Sequence, residues 1–410
     1  MPRCDWIGTL AGRLLLGPNI LFLAGEQWKE QRKVINPAFH RSMPIQLFGR
    51  LSQKMLDVME QETGPVDIHA MSQRWALDVL GESAFGFQFH ALDDRDTNEW
   101  VTRYNCVVES AQKPFYFMFP SIERRFKTWI PERNKAHGEL SIFLNMMSSI
   151  AEKKRQALVE SSSSGPNSSG SKLAANDQEK DLLTLMIEAE QEGQGRLSDE
   201  ELQSNLSVFF LAGHETTAAA IAFAIYHLAV NSDIQQRARE EVTRIFGDGY
   251  DILPTVEQTR ELDYLNRVIK ETLRMEPPAV SMVPRIATQD TELSGVFIPK
   301  GTRLTVDLYE LHHNPEVWKD PDQFDPDRFA PGGESDVMAD GMPWAPFSNG
   351  SRQCIGMNFS LMEQRVLLPM LLMKYEWRLP ENSIHKEKVI TNGLGVIKPI
   401  DLKVIFTKRY

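Results

Sequence analysis

Ser198-Asp199-Glu200-Glu201 has the form of a capping box, and it opens the longest helical pattern in the chain. The pattern runs to about residue 230, and its second half is apolar almost all round. A helix without a polar face cannot rest on a surface. It must run through the middle of a large domain, covered on every side. With 410 residues, 42% of them hydrophobic, the chain can supply that cover.

Helical periodicity dominates on both sides of this element. Residues 27–34 read as a short amphipathic helix that stops near Asn36-Pro37. Further helices are predicted over 139–158, 233–246, 262–276 and 355–374. Short β-type runs lie around 280–286, 295–298, 303–306 and 389–406. Residues 312–350 are rich in Pro, Gly and Asp and read as an irregular meander, while the serine-rich stretch 161–171 reads as a flexible surface loop. The fold class is therefore mainly α with a small β region.

The net charge of −11 argues against nucleic acid as a partner of the bulk surface. Three widely spaced cysteines, Cys4, Cys106 and Cys354, do not make a disulfide framework and fit a reducing compartment. Four Asn-x-Ser sequons, at Asn167, Asn205, Asn349 and Asn358, read as chance matches, since three fall in core or loop segments with other roles. Residues 7–24 are the most apolar early stretch, but Arg13 and Gly17-Pro18 interrupt it, so no transmembrane anchor is expected there.

The segment Phe347-Ser348-Asn349-Gly350-Ser351-Arg352-Gln353-Cys354-Ile355-Gly356 carries the chemistry. A cysteine binds iron as the thiolate, so its pKa must be lowered. Cys354 stands just before a predicted helix, whose positive end and free N–H groups favour negative charge. Gly350 and Gly356 leave room for a flat macrocycle, Arg352 can meet a carboxylate, and Phe347 can shield the sulfur. A buried structural cysteine in a glycine-rich loop is the competing account of Cys354 taken alone.

As a whole the segment resembles the haem-binding signature of the cytochrome P450 family, Phe-x-x-Gly-x-Arg-x-Cys-x-Gly, at every fixed position. Other motifs follow in family order from about Gly25 to the end of the chain. Ala212-Gly213-His214-Glu215-Thr216-Thr217 lies in the long helix, where small residues let a planar group and O2 approach, and an acid beside an alcohol can relay protons. Read alone, it serves equally well as a small-residue packing face. Glu271-Thr272-Leu273-Arg274 and Arg328 resemble the family's buried Glu-Arg-Arg cluster, which is structural. Trp28 and Arg32, four apart on one helix face, and Arg285 resemble the family's propionate contacts. Lys29 and Lys33 could form a local basic patch for an acidic redox partner, or an ordinary solvated face.

The resemblance implies one P450 domain over residues 1–410, with haem b as cofactor and Cys354 as the iron ligand. It implies Glu215 and Thr216 as proton relay, Ala212 over the haem, and Trp28, Arg32, Arg285, Phe347, Arg352 and Gly356 as haem contacts. It further implies a monooxygenase that takes O2, a small apolar organic substrate and electrons from an NADPH-cytochrome reductase, at the cytosolic face of the endoplasmic reticulum. A peroxide-using isomerase or dehydratase, and a non-catalytic haem binder, are the alternatives. Only 27 residues precede Trp28, where family members carry an anchor and first strands, so an N-terminally truncated member is expected, and Asn36-Pro37-Ala38-Phe39 after the first helix resembles a eukaryotic, fungal-type member. The aromatic run Pro114-Phe115-Tyr116-Phe117-Met118-Phe119-Pro120, within 113–122, reads as an apolar surface loop that touches membrane, or as core. Phe209, Phe210, 280–282 and Leu394 are candidate pocket positions.

Overall fold

The computed structural model describes residues 7–41, 43–94, 98–163, 180–191, 197–247, 249, 252–337, 341–393 and 395–410. Most of the predicted serine-rich loop, from residue 164 onward, and Leu394 lie outside them. The helices come first: α1 (Leu10–Leu15), α2 (Gly25–Arg41) and α3 (Ile45–Glu60). Strand β1 (Val66–Asp67) leads into α4 (Ile68–Leu80), followed by α5 (Glu99–Ala111), α6 (Pro114–Met118), α7 (Pro120–Phe126), α8 (Pro131–Ser163) and α9 (Leu182–Gln191). The long helix α10 (Asp199–Val230) precedes α11 (Ser232–Phe246), α12 (Val256–Glu261) and α13 (Asp263–Met275). Short strands β2 (Arg285–Ile286), β3 (Thr291–Leu293), β4 (Val296–Ile298) and β5 (Arg303–Leu304) come next, then α14 (Leu308–His313) and α15 (Glu334–Val337). Helix α16 (Met357–Lys374) and strands β6 (Tyr375–Arg378) and β7 (Lys403–Lys408) complete the chain.

These elements form two compact units, one of residues 7–58 and 74–215, the other of residues 59–73 and 216–410. Helix α10 contributes to both, 199–215 to the first and 216–230 to the second.

In the first unit, Phe210 of α10 stands in an aromatic cluster. Its ring lies 4.9 Å from Phe143, 5.2 Å from Tyr104 and 5.5 Å from Phe89. Such pairs contribute about 0.5–1.5 kcal/mol each beyond the area they bury. A buried polar knot holds the start of the chain. Glu123 accepts from the Leu10 N–H at 2.6 Å, Arg133 at 2.7 Å and His137 at 2.9 Å. Burial alone would push this carboxyl up, but His137, Arg133 and the Leu10 amide outweigh it and hold the pKa at about 2.

In the second unit, β1, β7 and β6 form a three-stranded antiparallel sheet in which β7 is central. The pairs β2–β5 and β3–β4 are separate two-stranded ribbons. The apolar half of α10 is buried here from Thr217 to Leu228, as its composition demands. The Trp377 Nε1–H donates to the Ile225 carbonyl at 2.9 Å and the Tyr226 hydroxyl to His385 O at 3.1 Å. By length and composition α10 could cross a membrane, but 78% of its most apolar window is buried in the fold, the mark of a core helix.

The capping box at Ser198 is present, with Glu201 N–H on Ser198 Oγ at 3.2 Å and Ser198 N–H on Glu201 Oε2 at 2.8 Å. Several elements differ from the sequence reading. Helix α8 runs on to Ser163, into the stretch read as a serine-rich loop, and among the described residues of 389–406 only the part from Lys403 onward is strand. Helix α2 continues through Pro37 to Arg41, because Val34, Ile35 and Ala38 are buried and the carbonyl that Pro37 cannot bond belongs to exposed Lys33. Residues 113–122 are not a loop but two short helices, α6 and α7, each with proline at its first position, where the missing N–H costs nothing.

Candidate haem site

The cysteine loop is built by backbone bonds inside the second unit. Ser348 N–H donates to Ala345 O at 2.9 Å, Cys354 N–H to Phe347 O at 2.9 Å, and Gln353 N–H to Gly350 O at 3.1 Å. The turn needs left-handed backbone at Ser348 (φ 59°) and Gly350 (φ 66°), a conformation glycine adopts without strain. Asn349 Oδ1 accepts from the Gly350 N–H at 2.6 Å and closes the corner. Three residues beyond Cys354, α16 begins, so the sulfur stands at the positive end of an 18-residue helix. Cys354 is exposed, and Arg352 is half-buried beside it in the chain.

The glycines separate two different demands. A Cβ on Gly356 would meet only Cys354 Sγ, at 4.0 Å. The chain's own packing therefore leaves this position open, as a cradle for a flat group requires. A Cβ on Gly213 would come within 2.8 Å of Leu80, so close packing inside the first unit, one of the two readings of this segment, accounts for that glycine.

Ala212 keeps its expected place. It is the single exposed residue between 202 and 228 of α10, and Thr216, one turn on, is half-buried. Glu215 is 1% exposed and its Oε2 lies 3.6 Å from His214 Nε2. Trp28 and Arg32 are half-buried on α2. Gln31, between them, is what ties that helix to α10: its Nε2 donates to Glu201 at 2.9 Å, and its Oε1 accepts from Asn205 at 3.0 Å. Sequence reading passed over Gln31. The same bonds bury Asn205, which rules out its sequon. Lys29 is paired with Glu26 at 2.6 Å, so the suggested basic patch is partly neutralised. Phe210, offered as a pocket position, is fully buried in the aromatic cluster instead.

Arg285 is exposed on β2. Its segment reaches the cysteine loop through Ser348 Oγ, which lies 3.7 Å from Met282 Sδ.

The Glu-Arg-Arg cluster is fully assembled. Arg274 Nε donates to Glu271 Oε2 at 2.7 Å and its second arm to Oε1 at 2.9 Å. Arg328 Nε lies 3.4 Å from the same carboxylate, and all three residues are buried. Arg274 also donates to the His312 and Pro321 carbonyls at 2.7 and 2.8 Å, and Arg328 to the Asp320 carbonyl at 2.8 Å. The cluster thus gives donors to the buried His312 carbonyl and to the part-buried carbonyls of Asp320 and Pro321.

Another buried acid gave no sequence signal. Glu363 of α16 is 1% exposed and neither oxygen closes a hydrogen bond. Burial pushes its pKa well above the usual carboxylate range, with the nearby Thr217 hydroxyl pulling the other way. Thr217 itself donates to Ser360 Oγ at 2.9 Å.

The donor set fits haem: one exposed thiol at a helix start, an open glycine beside it, and Arg352 and Arg285 as cations on the same unit. Among the described residues no three His, Cys, Asp or Glu side chains gather as a metal cluster. A single protein sulfur suits an iron whose other ligands come with a cofactor.

Comparison with known proteins decides the matter, for the family model of cytochrome P450 matches residues 9–406. The chain belongs to the cytochrome P450 family. It is a monooxygenase of that family with haem b as its cofactor. Among its relatives, cytochrome P450 4c21 of Blattella germanica is 32% identical, covering 94% of this chain and 76% of that protein. Cytochrome P450 4A24 of Sus scrofa is 30% identical, covering 92% and 74%. These are animal proteins, so the expected fungal type gains no support from them. The crystal structure of the cytochrome P450DA heme domain superposes with a TM-score of 0.79 at 24% identity, covering 98% of this chain and 82% of that one, and this likeness speaks to the fold.

Proposed function

We propose that this P450 inserts one oxygen atom of O2 into a small apolar organic substrate, with the other leaving as water and the electrons coming from NADPH through a reductase. Cys354 is its iron ligand. The observation that carries this reading is the exposed Cys354 thiol at the start of α16, in a loop closed by the Cys354–Phe347 backbone bond. When bound, haem supplies the binding and reductive activation of O2, and a thiolate ligand pushes electron density that favours O–O cleavage. The protein's own groups do the rest. Arg352 and Arg285 meet propionates, Phe347 shields the sulfur, and Gly356 leaves room beside it. For Trp28, Arg32, Ala212 and Glu215, in the other unit, the roles rest on the family pattern. We read the two units as parts of one P450 domain, a reading supported by a single family match over 9–406.

Thr216 and Glu215 pass protons. Half-buried Thr216 can both accept and donate a hydrogen bond, and it shares a helix face with exposed Ala212. In Thr216→Ala, with reductase and an accepted substrate, NADPH oxidation should continue while hydrogen peroxide rises. Product per NADPH should fall by about 10²-fold, the low end for a lost acid–base group. Full coupling in that variant would reduce Thr216 to packing. Among the relatives, one from Sus scrofa is named taurochenodeoxycholic 6 alpha-hydroxylase; it is 29% identical, covering 88% of this chain and 70% of that protein, and its name supports hydroxylation as the reaction class.

The protein works at the cytosolic face of the endoplasmic reticulum, and the α6–α7 corner touches the membrane. Phe115, Met118 and Phe119 are 51%, 72% and 48% exposed, and Trp129 is 83% exposed. Arg125 and Lys127 stand among them. Aromatics with nearby cations suit an anionic bilayer interface. Wild type should float with phosphatidylserine-containing liposomes, and a Phe115→Ser, Met118→Ser, Phe119→Ser, Trp129→Ser variant should float several-fold less. Equal flotation would exclude this corner as the contact.

A further inference from the structure

His312 is buried in the last turn of α14, and its two ends meet two different parts of the second unit. Its carbonyl accepts from Arg274 Nη1 at 2.7 Å, at the heart of the Glu-Arg-Arg cluster. Its Nε2 lies 3.0 Å from the Ala345 backbone nitrogen. Since a backbone N–H can only donate, Nε2 is the acceptor and the ring proton sits on Nδ1. That Nδ1 is buried and finds no hydrogen-bond partner. The tautomer is thus chosen by Ala345, at the expense of an unmet donor on the other side of the ring. Burial first, and then the Arg274 guanidinium, push the His312 pKa down to about 4, so the ring remains an acceptor at neutral pH.

Ala345 is the footing of the cysteine loop. Its carbonyl accepts from Ser348 N–H at 2.9 Å, and the preceding Trp344 is tied by Nε1–H to Lys270 O of α13 at 3.0 Å. The Phe329, Trp344 and Phe347 rings follow one another at 6.1 and 6.2 Å. Trp344 and Ala345 thus fix where the loop leaves the meander, and Phe347, whose carbonyl takes the Cys354 N–H, follows two residues later.

We propose that His312 is a positioning residue for the thiolate loop, transmitting the fixed geometry of the Glu-Arg-Arg cluster to Ala345 and so to Cys354. The proposal rests on Cys354 being the iron ligand. Removing the acceptor leaves the Ala345 N–H buried and unpaired, and the loop then moves toward water at the expense of the sulfur's placement. The identity of the side chain matters through one atom. Glutamine carries a side-chain oxygen about as far out as His Nε2, and can replace it. Asparagine reaches only the distance of Nδ1, and cannot.

The test compares His312→Gln, His312→Asn and His312→Leu in the holoprotein, with Cys354→Ala as control. Two measurements are made: exchange of the Ala345 amide with solvent, and the fraction of haem showing a thiolate ferrous–CO spectrum. In the Asn and Leu variants the Ala345 amide should exchange about tenfold faster, the worth of one such bond. The Trp318 amide, bonded to Asn314 O, should keep its rate. The thiolate fraction should fall by at least half in those variants and recover in His312→Gln. If Leu does not fold, the Gln–Asn comparison decides alone. Equal amide exchange and equal thiolate fraction in Gln and Asn would overturn the positioning role. A wild type without a thiolate spectrum would overturn the ligand reading and this proposal with it, whereas a normal wild type with unaffected variants overturns this proposal only.

Discussion

Cys354→Ala should abolish the thiolate ferrous–CO spectrum and with it oxygenated product, while Cys106→Ala should change neither. The contrast comes from the surroundings of the two sulfurs. Cys354 is exposed and precedes α16, where helix N–H groups favour a thiolate. Cys106 is half-buried on α5, lining a groove with Glu109 and Glu132. Burial pushes its thiol pKa up, and Glu139, Glu109 and Glu132 outnumber Lys135 in the same direction. A thiol held protonated is neither a good ligand nor a good nucleophile. The decisive measurement is the reduced, CO-bound spectrum of each purified variant at equal haem load. A thiolate spectrum surviving in Cys354→Ala would refute the assignment outright.

Arg274→Ala should cost about 3–5 kcal/mol, the range for breaking a buried ion pair by removing one partner. Glu271 would keep only the longer contact to Arg328 and the Asp325 N–H. The carbonyls of His312 and Pro321 would lose their donor. A domain of ordinary stability, about 5–15 kcal/mol, would lose a large share of it. The measurement is the urea midpoint of the holoprotein, together with haem content after purification. Arg274→Lys should fall between, because an ammonium keeps the charge but cannot span the carboxylate and two carbonyls as the planar guanidinium does. An unchanged midpoint in Arg274→Ala would mean that the cluster contributes nothing net.

Much of this architecture was legible in the sequence because it is written in local chemistry. The capping box at Ser198 and Glu201, the largely apolar second half of the helix to Val230 and the cysteine signature each need only neighbours in the chain. The Glu271–Arg274 spacing was also visible, but its importance depends on Arg328, 57 residues away, and became visible only through a known family arrangement. What sequence reading missed shares one property: the partner is remote and has no pattern of its own. His312 finds Ala345 across 33 residues, and Gln31 finds Asn205 across 174. The proline at position 37 misled for a related reason. Its local effect is to stop a helix, and burial of Val34, Ile35 and Ala38 overrides it.

Helix α10 has a further meaning when the protein is considered as something made from one end. Partners of its apolar half lie later in the chain: Glu276 for His227, Ser360 for Thr217, Trp377 for Ile225 and His385 for Tyr226. Trp377 follows Ile225 by 152 residues. At synthesis rates of about 5–20 residues per second, those residues take roughly 8–30 s to appear. For that interval the most oily segment of the nascent chain has been made and its eventual cover has not. Whatever shelters it meanwhile, chaperone or bilayer, must release it again, so the timing of translation is part of how this fold is reached.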